Sequence, residues 1–322
     1  MSSLNQTLLP LEAQYQTRVW GGQKLKRNDP PVGEAWVAFE GSRVLSGAHA
    51  GQTVAELAAE LAAELLGPLP LARYGTRFPL LIKLLDCADW LSVQVHPDDA
   101  QARRMVGAGE FGKTEAWHFL EVDPGARILA GVKPGTPAQA LEAAIRGGTV
   151  LDVAQELEVE EGQTVFIPAG TLHALGPGML LYEVQQSSDT TYRVYDWDRP
   201  ASAGRRLHLE ESVAVTDPEK GAQVYPAPRL EDTAAAPLVR CPYFTLDLLQ
   251  VENNAWAGNT AMQAFEILTV IAGSVRLRRG NEQITLERHQ TALIAAAAGA
   301  YHLEALSPAA RVLRATVPHD ER

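Results

Sequence analysis

An internal repeat limits the folds open to this chain more than any other feature. Residues 115–126, EAWHFLEVDPGA, align without gaps to residues 263–274, QAFEILTVIAGS, with alanine, an aromatic residue, apolar positions and a glycine in register. Further on, GQTVFIPAGTLHAL at 162–175 resembles HQTALIAAAAGAYHLE at 289–304, with a two-residue insertion before the histidine. Each copy consists of strand-length apolar runs broken by glycine, proline or alanine turns and ending at a histidine. That pattern, met twice, predicts two small β-barrels of the jelly-roll type. A chain of 322 residues has the length for two such cores. The stretch DPEKGAQVYPAPRLEDTAAAPL at 217–238 is rich in proline, alanine and acids and reads as the connection. It divides the chain into an N-terminal domain, 1–225, and a C-terminal domain, 226–322.

Further strand-length runs lie outside the repeat: FPLLIKLLD, WLSVQVH, ARILAGV and LLYEVQQSS. Helical signals are few. TVAELAAELAAELLG offers Thr53 as N-cap, glutamates every four residues and Gly67 as C-cap. PDDAQARRMVG and TPAQALEAAIRGG are the other two helix candidates. The formal net charge of −11 argues against a nucleic-acid partner, because phosphate backbones select for basic surfaces. A small anion held by a few local cations is still compatible with it. Two isolated cysteines, Cys87 and Cys241, imply neither a disulfide framework nor a cysteine zinc site and fit a reducing cytoplasm. The first residues lack the pattern of a signal peptide. The apolar stretch 53–67 is interrupted by Glu56, Glu60 and Glu64, so no membrane partner is expected.

The chemistry concentrates in the first copy. In LSVQVHPDD at 91–99, Gln94 and His96 are two apart on a strand and therefore share a face. Glu115 and His173 complete a set of an amide, two imidazoles and a carboxylate. Two neutral imidazoles and a carboxylate are usual ligands of a catalytic zinc or a non-haem iron. Each residue alone has a plainer reading: a solvated strand histidine, a strand-start carboxylate, a loop histidine. His118 differs from Glu115 by three along the strand and so is not counted with the set. In the ungapped alignment Glu115 falls opposite Gln263, and the second copy has no Gln-x-His segment. Lys83, Lys113 and Arg193 are the cations of interest, with surface ion pairing as the plain alternative. No glycine-rich phosphate loop is present to suggest a nucleotide.

Several ordered motifs together resemble a known family. RVWGG and VGEAW, FPLLIKLLD followed by WLSVQVHPDD, GKTEAWHFL, and FIPAGTLHALGPGMLLYEVQQSSDTTYRVYDWDR are similar to those of type I mannose-6-phosphate isomerases of the short bacterial form. The resemblance runs from residue 18 to about 217. It implies a mainly β, tandem cupin fold with a few peripheral helices. It also implies one zinc ion held by Gln94, His96, Glu115 and His173; the second copy, with Gln263 opposite Glu115 and no Gln-x-His segment for His302, is expected to hold no metal. By the same resemblance Arg193, Lys113 and Asp189 are catalytic, and Lys83, Ser92, Lys113 and Glu183 line the pocket of a hexose 6-phosphate. The implied reaction is mannose 6-phosphate to fructose 6-phosphate through a cis-enediol. Two departures stand out. Longer members often have a histidine where Gly112 lies, and usually read Ser-Asp-Asn where this chain reads Ser-Asp-Thr. A base assignment that needs the missing histidine does not transfer. A metal-dependent cupin oxygenase and a non-catalytic cupin that binds sugar phosphates are the competing readings.

Overall fold

The computed structural model describes residues 4–199, 205–230, 234–252 and 255–318. The linker residues Glu231, Asp232 and Thr233 lie outside this set. The described chain forms two compact units.

One unit gathers the described parts of 1–15, 35–84 and 228–322. Its six-stranded sheet runs in the order Leu8–Leu11, Thr291–Ile294, Glu266–Ala272, Ala310–Thr316, Thr245–Val251, Ala235–Arg240. A four-stranded sheet runs Trp256–Asn259, Ala300–Ala305, Ser274–Arg279, Glu282–Glu287. Leu249, Leu268, Val270 and Val312 from the first share one core with Val275, Leu277, Leu286 and Leu303 from the second. Alternate residues of each strand face this shared layer, as two packed antiparallel sheets require. The helix Val54–Leu61 opens on a full capping box between Thr53 and Glu56, and buries Val54, Leu57, Ala58 and Leu61. It stops short of the expected Gly67 because Ala62 turns out of the helix with φ 40°. The chain turns again at Gly67, which has φ +91° and lies against the Gln263 backbone, leaving no room for a Cβ. Pro68 then starts a further helix, Pro68–Tyr74, which the sequence pattern did not disclose.

The other unit gathers residues 16–34 and 85–227. A seven-stranded sheet begins with Gln223–Tyr225, Thr164–Ile167, Glu115–Val122 and Met179–Gln186. A five-stranded sheet runs Tyr192–Tyr195, Val93–Val95, His173–Leu175, Arg127–Val132, Ala154–Glu158. Trp117, Phe119, Val165 and Leu181 of one sheet pack with Ile128, Ala130 and Leu175 of the other. The two other expected helices form at Asp99–Met105, capped by Asp98, and at Ala138–Gly147, closed by the left-handed Gly148. Among the described residues no helix is long and apolar enough to cross a membrane.

Strand pairing revises the internal alignment. Glu115 faces Ile167 and His118 faces Thr164. In the second copy Glu266 faces Ile294 and Thr269 faces Thr291. The counterpart of Glu115 is therefore Glu266 and not Gln263. His173 is paired with Gln94, and its counterpart beside Gly258 is Tyr301. Tyr301 is fully buried, whereas His302 is exposed, so His302 is not the structural counterpart of His173.

Candidate metal centre

The strand Val93–Val95 pairs on one side with His173–Leu175 and on the other with Tyr192–Tyr195. Gln94 thereby lies between His173 and Arg193 in register, and the chain leaving this strand carries His96. Glu115 opens its strand, which follows directly on Lys113 and Thr114. Strand pairing thus sets Gln94 and His173, 79 positions apart in the chain, side by side.

His96, Glu115 and His173 present one donor atom each, all within 4.8 Å of one another and all buried. His96 Nε2 is 3.6 Å from Glu115 Oε2, and His173 Nε2 is 3.3 Å from Glu115 Oε1. Each imidazole meets a backbone carbonyl with its other nitrogen. His96 Nδ1 is 2.9 Å from Thr190 O, and His173 Nδ1 is 2.8 Å from Thr171 O. A carbonyl only accepts, so both Nδ1 atoms carry the proton and both Nε2 atoms keep a lone pair aimed inward. Burial pulls the His173 pKa down to about 4, and the nearby Lys113 cation adds to that, so the ring stays neutral near pH 7. Neither oxygen of Glu115 accepts a well-directed hydrogen bond, although the side chain has no exposure. Such a carboxylate calls for a cation. Lys113 supplies one by ion pairing, its Nζ 2.9 Å from Glu115 Oε2 and 3.0 Å from His96 Nε2. Gln94 Nε2 lies 3.3 Å from His173 Nε2, and the oxygen of the same amide is a further neutral donor. The carboxylate and the two fixed lone pairs fit a divalent metal ion with nitrogen and oxygen ligands.

The remaining expected residues are distributed unevenly. Ser92 is buried beside Gln94 and directs its hydroxyl at Gln94 Oε1, 3.4 Å away. Arg193 is half-buried, with Nε 3.2 Å from Ser92 Oγ and Nη1 3.0 Å from Arg206 O. Glu183 is buried and accepts from Trp117 Nε1 at 3.0 Å, and Trp117 in turn packs edge-on against His173. Lys83 is buried rather than at the surface, its ammonium 5.2 Å from the Trp36 ring. Asp189 is exposed, adjacent to the Thr190 whose carbonyl orients His96. His118 binds Thr164 Oγ1 at 2.9 Å and stays out of the centre, as its strand phase required. Arg205 was not singled out by the sequence reading. It also reaches Ser92 Oγ, at 3.3 Å from Nη2. Its only signal in the sequence is a second basic residue in the RRLH segment, which has no spacing relation to Ser92.

Two packed antiparallel sheets with buried imidazoles and a carboxylate at one barrel centre define a cupin with a metal-competent donor set. A family model described as phosphomannose isomerase type I, catalytic domain, matches residues 8–118. Mannose-6-phosphate isomerase of Streptococcus mutans is 37% identical over 291 residues, covering 86% of this chain and 89% of that protein. Mannose-6-phosphate isomerase ManA of Bacillus subtilis is 33% identical over 306 residues, covering 90% and 93%. The crystal structure of mannose 6-phosphate isomerase from Bacillus subtilis superposes with a TM-score of 0.83 at 28% identity, covering 96% of this chain and 99% of that one. The chain belongs to the mannose-6-phosphate isomerase family, and its fold is the tandem cupin of that family.

Proposed function

We propose that this chain is a zinc-dependent aldose–ketose isomerase that interconverts mannose 6-phosphate and fructose 6-phosphate through a cis-enediol. The observation that carries the reading is the buried His96–Glu115–His173 set with both imidazole tautomers fixed by backbone carbonyls. Family membership supplies the substrate. Residues 1–225 are the catalytic domain and 226–322 the metal-free one in this reading. The free thiols of Cys87 and Cys241 fit a cytoplasmic setting.

Gln94, His96, Glu115 and His173 would hold the ion. When bound, it supplies a Lewis acid for the negative charge on O1 and O2. In the forward direction a base takes the proton from C2 and O1 gains one, giving the enediol. The C2 hydroxyl proton then leaves and C1 is protonated, giving the ketose. Lys113, a buried ammonium in contact with two of the donors, is proposed to give O1 its proton. Asp189, an exposed carboxylate, is the proposed base of this set. Arg193 stabilises the charge that develops, since a guanidinium keeps its charge and its planar fork matches paired oxygens. Ser92 and Glu183 fix the pocket wall, and Lys83 completes the proposed set of pocket residues.

The test is a coupled assay on mannose 6-phosphate, with and without chelator. Turnover should vanish with chelator and return with added zinc. Oxygen uptake matched to product would replace the isomerase by an oxygenase. Saturable sugar-phosphate binding without turnover in the metal-loaded protein would identify a binding cupin.

A further inference from the structure

The surroundings of Ser92 hold more positive charge than their carboxylates balance. A hydroxyl has two lone pairs and one proton. At Ser92 all three are engaged: Oγ accepts from Arg193 Nε and from Arg205 Nη2, and donates toward Gln94 Oε1. Two guanidinium groups therefore converge on one neutral, buried oxygen. Asp196 is the shared carboxylate nearby. Its Oδ1 is 3.0 Å from Arg199 Nη1, and its Oδ2 is 3.3 Å from Arg205 Nε. Arg199 also takes the exposed Asp89, at 2.8 Å. Arg193 is in no ion pair among the described residues. Three cations thus face two carboxylates, and the surplus lies on the Arg193–Arg205 side.

Arg205 also has an unused donor. Its Nη1 is buried and has no hydrogen-bond partner among the described residues. A buried donor left without an acceptor is costly, so such an atom calls for one. Burial lowers the pKa of both Arg193 and Arg205, and their mutual repulsion lowers that of Arg205 further, which an incoming anion would relieve. In a chain with formal net charge −11, a local cationic excess of this kind is a specific device. A tetrahedral dianion matches it, because guanidinium forks bind phosphate oxygens in pairs.

We infer that Arg205 is the phosphate anchor of this chain and selects phosphorylated over unphosphorylated hexose, with Ser92 holding it beside Arg193. The inference rests on the isomerase reading for the identity of the sugar, but the anion site is defined by the arginines alone. Asp196 orients Arg205 and keeps its fork turned toward Ser92. Ser92 also links this anion site to Gln94, so phosphate binding and the metal-side amide share one hydrogen-bond relay.

The experiment uses the metal-loaded full chain and the variants Arg205→Ala and Arg205→Lys. Steady-state kinetics on mannose 6-phosphate give KM and kcat, and titration with inorganic phosphate, followed calorimetrically, gives phosphate affinity independently of turnover. Arg205→Ala should raise KM at least tenfold and weaken phosphate binding by a similar factor, with kcat changed less than threefold and metal content intact. Arg205→Lys should recover part of both, since it keeps the charge without the fork. Wild-type KM and phosphate affinity in both variants would overturn the inference. A fall in kcat alone, with phosphate affinity unchanged, would also overturn it. If Arg205→Ala does not fold, the lysine variant decides, because an unchanged phosphate affinity there contradicts the fork. If the wild type binds phosphate through Arg205 yet does not isomerise the sugar, the isomerase reading fails and the anion site stands.

Discussion

The two metal-facing histidines are oriented by the main chain. Because Thr190 O and Thr171 O accept from the Nδ1 atoms, side-chain changes in those loops cannot reverse the tautomers. His96→Ala or His173→Ala should therefore act by deleting a donor, and bound metal measured by elemental analysis should fall together with activity. Full metal content in both variants would show that other residues ligate. Arg193→Ala should keep the metal and lower kcat by roughly 10²–10³, the usual loss of about 2.7–4 kcal/mol when one pre-positioned electrostatic donor is removed. A surface ion pair would give less than about 1 kcal/mol, and near-normal kinetics would favour that reading. The depressed pKa of His173 has a stability consequence for the metal-free protein. The unfolded ring binds a proton near pH 6.5 and the folded ring only near pH 4. Below about pH 6.5 the unfolded state therefore takes up more protons, and stability falls as pH drops through this window. In chelator-treated protein, His173→Gln should lose less Tm between pH 7 and pH 5 than the wild type. Parallel melting curves would contradict the shift.

Which elements were legible depended on how local their cause was. The two later helices announced themselves through a capping residue and a closing glycine, both encoded within a few positions of the chain. Helix Val54–Leu61 began where its capping box predicted but ended at Ala62, with φ 40°, and the expected Gly67 instead makes a later turn against Gln263, a contact across nearly two hundred positions. The Gln94–His96 face was readable because strand alternation is strict. The repeat, in contrast, was misaligned by three residues. Its Ala-aromatic pairs and glycines matched without a gap, yet the turn is Asp123–Ala126 in one copy and Gly273 alone in the other. Pairing to the next strand, not similarity along the chain, fixes the true correspondence. Arg205 was invisible for a related reason, since its link to Ser92 spans 113 positions with no motif. A test at this scale concerns Gly258. A Cβ there would overlap the Tyr301 ring and Trp256. Gly258→Ala should destabilise the protein by about 1–3 kcal/mol through overpacking, read by chemical denaturation. Combining it with Tyr301→Ala should relieve the clash, so a double mutant with strictly additive losses would count against this account.

Across the whole molecule, one jelly-roll plan is used for two purposes. One barrel centre holds two imidazoles and a carboxylate with Lys113 beside them. The other is filled by protein. Tyr301 donates to Glu266, Arg314 Nη2 lies 2.7 Å from Asp247 Oδ2 and Nη1 lies 3.5 Å from Glu266 Oε1, and Trp256 stacks over the Arg314 guanidinium at 5.2 Å. One metal ion per chain is the expected stoichiometry, and Tyr301→Phe should leave it at one while costing stability through the loss of the Tyr301 donor to Glu266. A second equivalent bound in either protein would contradict the closed centre.

Tyr301 fills the space that a ligand side chain at 258 would need, and Arg314 pairs with Glu266, so no single substitution opens a binding site. A histidine at 301 would still face a glycine at 258 and a carboxylate already claimed by arginine. A metal site in this barrel would therefore need changes at 258, 301 and 314 together, whereas the other barrel already presents its donors.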